Sequence, residues 1–121
     1  MPTLKPEARA QGPVVTGFAG RGFKVDGEAT AGGVLLAPDW WQPFDAADWT
    51  AEAVAPLVAL RPEFLLIGTG ATLVRPPVAF IAALEAEGIG VEAMDSRATA
   101  RAWGVLRAEG RWIGAALRAL G

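Results

Sequence analysis

The 121-residue sequence predicts one α/β domain, and three observations carry that prediction. Apolar runs suited to buried strands alternate with helix-compatible segments in the order strand, helix, strand, helix, which is the pattern of βαβ crossovers on a parallel sheet segment. Asp26-Gly27 sits between short β-compatible runs and marks an N-terminal β-hairpin, because both central positions of such a turn favour φ > 0. A composition of 52% hydrophobic and 20% charged residues describes a chain that buries a core. A domain of this size hides roughly two-thirds of its unfolded surface.

The elements follow in order. Residues 1–13 are polar with three prolines and read as a loose arm, leaving 14–121 as the domain. "GFKVDGEAT" forms the hairpin, and "GGVLLAP" is a buried strand that Pro38 ends. "DWWQPFDAADW" reads as a long loop holding three of the five tryptophans. Thr50 is placed to cap a helix through "TAEAVAPLVAL", which Pro56 must kink or shorten because it removes an interior hydrogen bond. "EFLLIG" is a central strand. Pro77 suits the first position of a helix through "PVAFIAALEAEG", with Val78, Ile81 and Leu84 on one face and Gly88 as its cap. "IGVEAM" is the next strand, Asp95 caps the helix "SRATARAWGVLRAEG", and Gly110 stops it. "RWIGAALRAL" satisfies both helix propensity and the look of a strand covered on both faces.

Absences narrow the chemistry. The chain has no cysteine, which excludes disulfides, thiol nucleophiles and thiolate metal sites. It has no histidine, so Ser-His-Asp and Cys-His catalysis within one chain are excluded too. No residue set implies a cofactor or a metal, and no catalytic motif appears. A net charge of −2 with no aromatic-basic strip disfavours nucleic acid. The N-terminal stretch lacks the apolar segment of an export leader, and no apolar run approaches the ~20 residues that span a bilayer. The cytoplasm is therefore the expected compartment.

"LLIGTGATLVRPP" carries the main candidate site. "GTGATL" puts Leu73 where a dinucleotide fingerprint needs its third glycine, and no P-loop lysine follows. Gly68, Thr69 and Gly70 therefore read either as a tight strand-to-loop corner or as a ligand contact through exposed amides. The loop follows the carboxyl end of a parallel strand, where open α/β sheets bind ligands. Asp95 and Ser96 end the next strand, and Glu92, Arg101, Glu109 and Arg111 are expected to converge with Thr69 on one rim. The plainer reading makes Asp95 a helix cap and leaves the other charges solvated or paired. "GFAGRG" precedes a hairpin strand and not a helix, so it lacks an anion-binding helix terminus. Trp40, Trp41, Phe44 and Trp49 form the candidate partner surface, and adjacent Trp40 and Trp41 predict at least one exposed indole.

The ordered motifs "GFKVDGE", "GGVLLAP", "LLIGTG", "GIGVEAMDS" and "VLRAEGRWIGAAL" resemble the small domain shared by mitochondrial complex I assembly factor 3, the adipogenesis-associated protein and uncharacterised bacterial and archaeal proteins. The resemblance runs from Val14 to Leu120. It implies a three-layer fold with a mixed five-stranded sheet whose last strand, Trp112–Leu117, is antiparallel to its neighbours. It also implies a non-enzymatic role and a protein partner at a membrane respiratory or export complex, with a peripheral position at the inner membrane. Within "MDSRATARAWGVL", Asp95 and Arg101 match the family pattern and Ser96 replaces a Thr conservatively. Ala102, Trp103 and Gly104 stand for Thr, Tyr and Asn, so three polar groups are missing from that helix.

Overall fold

The computed structural model describes residues 12–121; of the arm expected over residues 1–13, the first eleven lie outside them and the last two do not behave as a loose arm. Gly12 and Pro13 are seated on the body. A Cβ on Gly12 would fall 1.8 Å from the Pro38 carbonyl oxygen, and the Pro13 carbonyl accepts the Trp103 indole N–H at 2.8 Å.

The described residues form eight strands and three helices: β1 (Val15–Ala19), β2 (Gly22–Val25), β3 (Glu28–Ala29), β4 (Gly33–Leu36), β5 (Trp41–Phe44), α1 (Ala55–Val58), β6 (Phe64–Gly68), α2 (Val78–Ala86), β7 (Gly90–Met94), α3 (Ser96–Ala108) and β8 (Gly114–Leu117). The first three make an antiparallel sheet, so the expected hairpin gains a third strand. Asp26 and Gly27 turn β2 into β3 with φ of 52° and 84°, as the Asp-Gly signal requires.

The main sheet has the order β5-β4-β8-β6-β7 and is mixed. β6 runs parallel to both β7 and β8, and α2 and α3 supply the crossovers. β8 occupies the centre. It is antiparallel to β4 and parallel to β6, so the antiparallel pairing expected of the last strand holds on one side only. It also starts later than expected, at Gly114, because Trp112 is tied to the α1–β6 connection through its indole N–H on the Leu60 carbonyl.

Period-two alternation sorts the sheet residues into two cores. Leu35, Leu65, Ile67 and Ala116 face a layer made by α1, α2 and the Trp49 segment. Val34, Leu36, Leu66, Ala115 and Leu117 face α3 and the small sheet through Trp103, Phe23 and Val25. The result is three layers, each interior leucine or phenylalanine contributing about 1.5–3 kcal/mol by leaving water.

Four expectations need correction. The tryptophan-rich stretch is not all loop: it turns back through an Ala37 N–H bond to the Trp40 carbonyl and pairs as edge strand β5. Pro43 is tolerated there because an outer strand leaves its non-pairing side open. The helix expected from Thr50 shrinks to four residues, since Pro56 fits only a first turn; Thr50 still accepts the Ala53 N–H. On α2 Leu84 is buried and Ile81 packs on the first core as expected, but Phe80 shares that face while Val78, next to the Pro77 cap, is 76% exposed. The exposed indole is Trp112 at 45%, whereas Trp40 and Trp41 are half-buried.

Candidate functional site

The carboxyl ends of β6 and β8 meet the start of α3 in a closed clasp. Gly68 is required by close approach, since a Cβ there would lie 2.9 Å from Ser96 Oγ and 3.1 Å from Ser96 Cα. Gly70 follows in the left-handed region at φ 106°. Ser96 is fully buried. Its hydroxyl accepts the Gly70 N–H at 2.9 Å and donates to the Arg118 carbonyl at 2.8 Å. The Arg118 N–H in turn donates to the Gly68 carbonyl at 2.9 Å. Thr69 Oγ1 accepts the Val74 N–H at 2.9 Å and donates to the Thr72 carbonyl at 2.7 Å. Asp95 caps α3 by accepting the Ala98 N–H at 2.8 Å.

The polar groups of the GTG loop and of the MDS helix start are thus engaged with backbone. Their geometry closes a corner and binds three chain segments together. Of the expected rim, Gly68, Thr69, Gly70, Asp95 and Ser96 come together, and the remaining residues do not. Glu92 is exposed on β7. Arg101, also exposed, lines a shallow cavity of about 180 Å³ beside β1, together with Val15 and Phe18. Glu109 and Arg111 lie past the far end of α3, about 20 Å away at 1.5 Å rise per residue.

There Arg111 forms a two-pronged contact with Glu63, Nη2 to Oε1 at 2.8 Å and Nε to Oε1 at 3.1 Å. The Arg111 hydrogen bonds, helped by the Trp112 N–H, hold the Glu63 carboxyl below the usual carboxylate range. The same pairing pushes the Arg111 guanidinium upward. A depressed folded-state pKa means the pair's contribution is complete above the ordinary glutamate value of about 4.3 and fades as pH falls through the lowered value. The Glu63→Gln variant should therefore show a flatter loss of urea stability below that pH than the parent chain. Identical acid profiles would refute the pairing.

The four aromatics of the candidate partner surface separate. Trp49 is buried between Phe44 and Phe80, with ring centroids 5.6 Å apart in both pairs. Trp40, just before β5, packs on the first core and Trp41, its first residue, on the second, the opposite faces that extended backbone dictates. They share an open cavity of about 680 Å³ with Asp26 and Asp39. Trp103 points into the second core and not into a cleft. The three most exposed large apolar side chains among the described residues are elsewhere: Leu73 at 61%, Val74 at 60% and Val78 at 76%, on the loop leaving the clasp and the first residue of α2, with Val105 on α3 at 59%. Their signal in the sequence was an apolar pair, Leu73-Val74, set between the glycines and the prolines with no strand to belong to.

No helix among the described residues is long and apolar enough to cross a membrane. The chain is 33% identical over 103 residues to an uncharacterised protein of Rhodobacter capsulatus, covering 85% of this chain and 82% of that one. It is 29% identical over 119 residues to NADH dehydrogenase [ubiquinone] 1 alpha subcomplex assembly factor 3 of Danio rerio, covering 94% and 68%. Its fold matches the solution structure of a Mth938-like domain from Bordetella pertussis with a TM-score of 0.79 and 27% identity, over 98% of this chain and 92% of that one. The DUF498/DUF598 family of proteins of unknown function matches residues 15–118. With a match that runs from β1 through β8, the chain belongs to that family.

Proposed function

We propose that this protein works by binding other proteins, as an assembly-factor-like module beside a membrane respiratory complex, and not by making or breaking bonds. The observation that carries the reading is the exposed apolar segment Leu73, Val74 and Val78, on a loop anchored at its base by Thr69 and Ser96. Isolated exposed apolar residues are ordinary, but three large ones within six positions form a contact surface. Similarity to a complex I assembly factor supports the same direction and suggests the class of partner. A cytoplasmic position at the inner face of the membrane would follow from such a role. An enzymatic rim draws little support, because the Thr69 and Ser96 hydroxyls are spent on backbone partners.

The test is genetic. Removing the gene from its host should lower the amount of fully assembled respiratory NADH dehydrogenase on native gels. The Leu73→Asp/Val78→Asp double variant, which alters only exposed positions, should fail to restore it despite folding normally. An undiminished complex in the deletion strain would overturn the proposal.

A further inference from the structure

At the carboxyl end of β8 a cleft of about 260 Å³ is lined by two arginines, Arg21 from the β1–β2 turn and Arg118 from the residue after β8. The Leu120 N–H donates to the Arg21 carbonyl at 2.7 Å, so the two cations are held on the same short piece of backbone. Arg118 is half-buried and its guanidinium is well positioned: Cζ lies 4.8 Å from the Trp49 ring centroid, and Nη2 donates to the Ala47 carbonyl at 2.6 Å. Its Nε is sealed from water with no hydrogen-bond partner. Among the described residues neither arginine has a carboxylate within 4.0 Å, since the two ion pairs are Arg61–Glu87 and Arg111–Glu63.

A partly desolvated guanidinium without a counter-charge is costly, and one already fixed offers its remaining N–H groups to an oxyanion at little further entropic cost. We propose that this cleft binds a small carboxylate between Arg21 and Arg118. The cleft also carries Asp45, whose negative charge opposes a dianionic phosphate more than a single carboxylate. The neighbouring cavity of about 530 Å³, which shares Arg21 and Asp45 and continues past Trp41 and Pro43, has room for the rest of such a molecule. The position agrees with the general placement of ligands at the carboxyl ends of parallel strands. This inference does not depend on the assembly role.

The experiment is a nitrogen-15 NMR titration of the full chain with acetate, succinate and inorganic phosphate, following the Arg118 Nε–H signal and the Asp45 and Ala119 amides. Acetate, the single carboxylate, should give saturable shifts at all three, with the dianions succinate and phosphate weaker. Arg21 is exposed and makes no described side-chain bond, so Arg21→Gln should fold normally and bind roughly tenfold more weakly, as expected for losing one charge-assisted contact. Asp45→Asn should bind more tightly. Absence of a saturable shift with acetate, equal binding by Arg21→Gln, or tighter binding of phosphate than of acetate would each overturn the proposal. Arg118→Ala is not the variant of choice, because removing the Trp49 stack perturbs the fold.

Discussion

Replacing Trp103 by Ala should cost about 3–5 kcal/mol for the cavity alone, a large part of the roughly 5–15 kcal/mol that holds a domain of this kind together. The indole is wholly inaccessible and sits where α3, the small sheet and β8 meet. The same substitution orphans the buried Pro13 carbonyl, which otherwise accepts the indole N–H at 2.8 Å, and an unsatisfied buried acceptor adds about 1–3 kcal/mol. The expected result is a melting temperature lower by roughly 15–30 °C. Trp103→Phe separates the two contributions: it restores most of the volume but not the hydrogen bond, and should recover more than half of the loss. A Trp103→Ala variant within about 1 kcal/mol of the parent in urea unfolding would show that the side chain does not organise this core.

Ser96→Ala should rank next, at about 2–4 kcal/mol, because one hydroxyl satisfies two buried backbone groups and both are left without partners. Amide exchange at Gly70 should accelerate along with the drop in stability. Ser96→Thr keeps the oxygen and should retain most of the stability. An Ala variant as stable as the parent would free Ser96 from its structural duty and reopen the loop as a place for ligands.

Most of the architecture was legible because local signals and burial agreed. Gly88 and Gly110 stop their helices with φ of 80° and 77°, each followed by a residue whose N–H reaches back to the carbonyl near the helix end, Ile89 to Leu84 and Arg111 to Leu106. Asp95 caps where its position demanded. The readings that failed did so where tertiary context outweighed local preference. Pro43 and the paired tryptophans argue for loop, yet β4 offers an open edge on which they pair in register from Trp41 to Phe44. Glu109 and Arg111 were grouped with Thr69 by charge alone, while the length of α3 carries them to the other end of the sheet. The arginine cleft was invisible because Arg21 and Arg118 are far apart in the chain and meet only once β8 is inserted.

That insertion has a consequence for biosynthesis. The strand at the middle of the main sheet is synthesised after the other four strands of that sheet, so until then the β4–β5 pair and the β6–β7 pair each present a bare inner edge. Nascent chains stalled before Gly114 should be the species that stick to one another or recruit chaperones, since unpaired edges template aggregation. Insertion of β8 would then join both halves in one step, closing the two bare edges together.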